Sequence, residues 1–93
     1  MTNPNKYLAE FLGTMLLIVC ILASSAQPLV VGAALATAIY FTKEISGGHI
    51  NPAVSIAMYI NKKISLEDLG GYVVAQLSAA LTSVYLYNFV ITL

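Results

Sequence analysis

The 93-residue chain is 59% hydrophobic and 9% charged, has no net charge at pH 7, and draws all four of its cations from lysine. A soluble domain carries about 25% charged residues, so lipid is the expected solvent. A nucleic-acid partner is excluded, because there is no basic patch to hold one. One cysteine, Cys20, and one histidine, His49, rule out an intrachain disulfide framework and a structural zinc site.

Three segments are long enough to cross a bilayer whose core takes about 20 apolar residues. The first covers residues 7–26. It reads as a span rather than a cleaved leader, because Glu10 interrupts the charge layout of a leader and further apolar segments follow. The second, 29–44, starts after Pro28, is slightly short, and ends near Lys43 and Glu44. The third covers 66–91, with Ser65 as its cap and Asp68 three residues later completing a capping-box pattern. Small residues recur four apart in all three: Ala9 and Gly13, Gly32 and Ala36, and the series Gly71, Ala75, Ala79 and Ser83. Such spacing allows close helix packing in lipid.

Between the second and third spans lies a shorter apolar run from Pro52 to Ile60. As a helix it would cover roughly 14 Å, about half of a 30 Å core. A segment of this kind is either interfacial or re-entrant, and re-entrant backbone needs protein or a wet cavity around it. Asn51 and Pro52 suit the N-cap and the first helical position. With the Asn51 side-chain oxygen capping the amide of Ala53 or Val54, its NH2 group is left as a donor pointing away from the helix. The helix N-terminus adds about half a positive charge. Together they would hold a neutral acceptor oxygen and repel cations. The preceding Ser46-Gly47-Gly48-His49-Ile50 is expected to be unwound, with carbonyls that need partners. Glu10, the one acid in the first span, either faces the protein interior or reaches back to the interface. His49 is either a neutral ring bonded within the loop, the preferred reading, or a pH sensor.

The run from Ser46 through Asn51-Pro52-Ala53 to Val54-Ser55 resembles the first signature loop of the aquaporin and glycerol-facilitator (major intrinsic protein) family. Ala9-Glu10-Phe11-Leu12-Gly13-Thr14 is similar to that family's first-helix motif, and Gly71-Tyr72-Val73-Val74-Ala75-Gln76 to its third-helix motif. The three motifs stand in the family's order and spacing, and together cover nearly the whole chain. The resemblance implies an all-α membrane protein with three transmembrane helices plus one re-entrant half-helix, the re-entrant loop and half-helix together covering about 46–60, like the first repeat of an aquaporin. Residues 1–93 would form a single half-repeat.

In that scheme Asn51 donates to the solute at the constriction, and Pro52 and Ala53 complete the contact with the opposing half-helix. The carbonyls of Gly47, Gly48, His49 and Ile50 form a file of acceptors. Val31 falls at the family's selectivity filter, where its small side chain hints at a wider opening. Glu10 and Gln76 hold the loop. The implied function is passive conduction of water or a small neutral solute such as glycerol, without a catalytic step, a metal or a cofactor. A tetramer is also implied.

The match stops at one repeat: there is a single Asn-Pro-Ala and no arginine for the filter. Three spans and one half-helix cannot enclose a pore in the family's manner, so a second inverted half is expected, from another chain or from a missing C-terminal repeat. The end at Ile91-Thr92-Leu93, directly after an apolar run, suits truncation before a fourth span. Lys6, Lys43, Lys62 and Lys63 would all lie on one side, which places the N-terminus in the cytoplasm and the C-terminus opposite. The same asymmetry argues against an inverted pair of identical chains. The alternative is a non-conducting protein that packs against membrane helices and modulates their assembly; a membrane enzyme is more distant, because no nucleophile has a base beside it.

Overall fold

The computed structural model describes residues 3–93, which form four helices and no strand: α1 (Asn5–Ser24), α2 (Pro28–Thr42), α3 (Pro52–Ile60) and α4 (Leu66–Ile91). Two of them, α1 and α4, are long and apolar enough to cross a membrane, whereas α2 has 15 residues. At 1.5 Å per residue α2 covers about 22 Å.

Helix ends follow local chemistry. α1 stops two residues before the expected 26 because Ser25 and Ala26 both take left-handed backbone (φ 54° and 60°), and the Ala26 amide returns to the Ile21 carbonyl at 2.8 Å. This is the 6→1 closure that satisfies a terminal carbonyl. At the start of α2, Gln27 accepts from the Val30 amide at 2.9 Å and Pro28 occupies the first turn. α2 ends at Thr42 rather than 44, where the chain passes into a turn through Ile45 and Ser46, whose amides both return to the Thr42 carbonyl. The Ser65 hydroxyl caps α4 by accepting from the Asp68 amide at 3.0 Å. The Asp68 carboxylate does not return to complete the box; it turns to Lys6 Nζ (2.6 Å) and Tyr7 Oη (2.9 Å), pinning the start of α4 to the start of α1.

α1 is the central element. It packs against α2 on one side and α4 on the other, while α3 packs against α4. Ala9, Glu10, Gly13 and Thr14 of α1 are buried, and so are Tyr72, Ala75, Gln76, Ala79 and Ser83 of α4, so the small-residue series on these helices lies in an interface. On α2 the outcome differs. Gly32 and Ala36 are exposed, and Ala34 and Ala38 are the buried four-apart pair. The helix is apolar all round, so its small residues alone did not reveal which stripe meets α1.

The residues around this small core are largely apolar and uncovered, among them Leu8, Leu12, Leu29, Tyr40, Phe41, Leu77, Leu81, Tyr85 and Phe89. The buried residues, in contrast, include Glu10, Thr14, Ser46, His49, Ser55 and Gln76. Apolar outside and polar inside is the reverse of a soluble domain.

Candidate functional site

Residues 46–50 run between α1, α2 and α4 without helical structure. Space decides part of their sequence. A side chain on Gly48 would stand 3.2 Å from Ile39 Cγ2 and 3.4 Å from Ile39 Cα, and its φ is +65°. Only glycine meets both demands at low cost. Two residues on, Ile50 also sits at positive φ (62°), where a β-branched side chain is strained.

Glu10 supplies the restraint. Its side chain is fully buried and accepts four hydrogen bonds. Oε2 takes the Ser46 hydroxyl at 2.6 Å and the His49 amide at 3.0 Å. Oε1 takes the Ile50 amide at 2.7 Å and Gln76 Nε2 at 2.9 Å. A carboxylate has about four lone-pair sites, so the group is fully used as an acceptor, and a buried charge needs that degree of pairing. Gln76 extends the network from α4, because its Nε2 also donates to Ser55 Oγ on α3 at 3.0 Å. Ser55 in turn lies 2.8 Å from His49 Nδ1. Tyr72 Oη donates to the Ser46 carbonyl at 2.6 Å, and the His49 ring stacks edge-on against the Tyr72 ring at 4.8 Å. The carbonyls of Gly47, Gly48, His49 and Ile50 accept from none of the described residues.

Asn51 emerges from this loop as the N-cap of α3, with Oδ1 accepting from the Ala53 amide at 2.8 Å and Pro52 in the first turn. Asn51 and Ala53 are exposed and Pro52 is partly exposed. The oxygen is committed to the cap, so the NH2 group points outward with the positive end of the helix behind it. Val31 is partly exposed on α2 and takes no part in the Glu10 network.

Reading the sequence singled out Glu10, His49, Asn51 and Gln76 but assigned nothing to Ser46, Ser55 or the Tyr72 hydroxyl. Ser55 carried a usable signal: apart from Tyr59 it is the only side chain with a polar group inside the nine-residue helix, and it is wholly buried. An unpaired hydroxyl there would be costly.

A membrane-type helix bundle whose buried carboxylate seats a loop in front of a short capped helix is the class this arrangement defines. The chain matches the major intrinsic protein family over residues 1–92, and it belongs to that family. It is 42% identical over 86 residues to glycerol uptake facilitator protein-like 6 of Lactiplantibacillus plantarum, covering 84% of this chain and 40% of that protein. Lens fiber major intrinsic protein of Gallus gallus is 38% identical over 85 residues (80% and 32%), and aquaporin-5 of Sus scrofa is 39% identical over 84 residues (78% and 32%). The chain thus spans 40% or less of the length of these relatives. No solved structure matches it.

Proposed function

We propose that this chain is one half of a passive membrane channel for water or small neutral solutes such as glycerol, and that a second, inverted half closes the pore. α1, α2 and α4 are the three spans, and residues 46–60 form the re-entrant loop and half-helix. The observation that carries the reading is Asn51: its oxygen is bound to the cap, its residue is exposed, and its amide donor stands at a helix N-terminus. Pores of this kind select by diameter, by lining donors and acceptors, and by the positive ends of half-helices. Asn51 supplies the donor. The carbonyls of Gly47, Gly48, His49 and Ile50 supply acceptors, Pro52 and Ala53 meet the opposing half-helix, and Val31 lines the wider filter. Glu10 and Gln76 keep the loop in register. Family membership and the likeness to a glycerol uptake facilitator-like protein support both the channel and the solute class. The lysine distribution supports a cytoplasmic N-terminus. Four such channels would assemble as a tetramer.

The test is stopped-flow light scattering on proteoliposomes, with the chain alone and with the C-terminal half of the Lactiplantibacillus relative co-reconstituted. The expected result is shrinkage at the empty-liposome rate for the chain alone, acceleration with the second half, and a several-fold cut in that acceleration in Asn51→Ala. A pair that assembles but conducts nothing overturns the proposal in favour of a packing module.

A further inference from the structure

The network around Glu10 leaves one proton assignment open, and its own donors and acceptors close it. Glu10 faces four donors, so it is the acceptor-only carboxylate. The Gln76 amide must then turn its NH2 toward Glu10, since the reverse orientation would set the amide oxygen against the carboxylate. Both Nε2 hydrogens are used, one on Glu10 Oε1 and one on Ser55 Oγ. The cost is visible on the other side of the amide: Gln76 Oε1 is buried with no partner among the described residues. Ser55 Oγ, already accepting from Gln76, has one hydrogen to give, and His49 Nδ1 lies 2.8 Å away.

We infer that Ser55 is a positioning residue that fixes His49 as the tautomer protonated on Nε2. The carboxylate on α1 orients the amide on α4, the amide orients the hydroxyl on α3, and the hydroxyl makes Nδ1 an acceptor. The tautomer of a histidine is set by the hydrogen bond its other nitrogen makes, and here that bond comes at the end of a chain anchored on a charge. The Nε2–H is left on the side of Gly47. A side chain at Gly47 would lie 3.3 Å from Nε2, and Gly47 is exposed, so the missing side chain leaves an approach to this donor at the edge of an otherwise buried ring. Nε2–H is therefore a binding point for one neutral acceptor oxygen, water or an alcohol, at the loop edge before Asn51. That consequence rests on the proposed pore, whereas the tautomer does not.

His49 is the one histidine of the chain, so ring-15N histidine labelling gives a single pair of signals. Solid-state NMR of the full chain in lipid bilayers at mildly alkaline pH is expected to show Nδ1 without a proton and Nε2 with one. The Nε2 proton is expected to correlate with the water resonance and to lose that correlation in Gly47→Ala. In Ser55→Ala the proton is expected to redistribute between the two nitrogens, and Ser55→Thr is expected to restore the wild-type pattern. A proton on Nδ1 in the wild type overturns the inference, as does a folded Ser55→Ala with an unchanged ring. A wild-type Nε2–H that does not correlate with water overturns the binding point alone. The wild-type spectrum decides the tautomer even where a variant fails to fold, and it does so without any transport measurement.

Discussion

The Ile50 amide donates to Glu10 Oε1 at 2.7 Å, joining residues forty apart and holding the loop immediately before Asn51 against α1. Removing the carboxylate leaves the amides of His49 and Ile50 and one Gln76 hydrogen without their acceptor, while the Ser46 hydroxyl keeps the Thr42 carbonyl at 3.3 Å. Stranding one buried donor costs about 1–3 kcal/mol. Glu10→Ala is therefore expected to release the loop at a cost of at least that size, even if the rest of the bundle rearranges. Hydrogen exchange at the amides of His49 and Ile50 reads the change, and both are expected to lose protection while the interior of α4 beyond Ala79 keeps its own. Glu10→Gln is expected to fall between, because one of its two terminal atoms becomes a donor facing donors.

In the proposed channel Asn51 has two tasks, capping α3 and donating to the solute, and substitutions separate them. Asn51→Asp keeps the cap and adds negative charge at the N-terminus of α3, whereas Asn51→Ala removes both cap and donor. Loss of an N-cap costs about 1 kcal/mol, so Asn51→Ala is expected to lower stability by that amount. Losing one hydrogen bond to the solute at the barrier, worth about 1 kcal/mol, corresponds to roughly a fivefold slower flux in the completed channel. Asn51→Asp is expected to hold stability and to admit cations, because the positive end of the helix is neutralised. Thermal unfolding and planar-bilayer conductance read the two effects independently.

The contrast between Asn51 and Glu10 shows what the sequence discloses. The cap on α3 is local: Asn51, Pro52 and an apolar run are enough to place it, and the structure has the Asn51 oxygen on the Ala53 amide. The length of α4 and its Ser65 cap are equally local. The partners of Glu10 are not, since they come from the loop and from α4, and spacing along the chain says nothing about which of Ser46, Ser55 and Tyr72 turn inward. The stripe of α2 that meets α1 was hidden for a different reason. Every face of that helix is apolar, so Ala34 and Ala38 became distinguishable from Gly32 and Ala36 only once α1 stood beside them.

Ile50 combines a left-handed backbone with a wholly buried side chain. Ile50→Gly would relieve strain of order 1–3 kcal/mol but would remove a buried aliphatic side chain, a loss of about 2–5 kcal/mol for changes of this type. The packing loss is the larger, and the side chain reaches the Gly13 position on α1 closely enough that a Cβ there would lie 2.5 Å from Cδ1. The expected outcome is net destabilisation in a thermal melt in detergent. Gly13→Ala, which pushes on the same side chain from the other direction, is expected to destabilise as well, and the double variant Gly13→Ala with Ile50→Gly should lose less than the sum of the two. An additive result would show that the two positions do not compete for space.

Gly70 and Gly71 are adjacent in α4 and give opposite expectations for the same change. A Cβ at Gly70 meets nothing within 4 Å, whereas one at Gly71 would overlap the ring of Tyr7. That ring stands edge-on to Tyr72 at 6.0 Å, and its hydroxyl donates to Asp68 at 2.9 Å. Alanine in place of a helical glycine is favourable by about 0.5–1 kcal/mol from backbone entropy, and Gly70→Ala is expected to gain that amount. Gly71→Ala gains it too but must displace Tyr7, and overpacking of this kind costs about 1–3 kcal/mol. The net is expected to be destabilising, with the Tyr7–Asp68 bond broken and the start of α4 held to α1 through the Lys6–Asp68 ion pair without its second tether. Detergent-solubilised melts of the two variants against the wild type, together with hydrogen exchange in the first turns of α4, provide the check. Equal shifts for both variants would mean that Tyr7 yields without resistance and does not fix the register of the two helices.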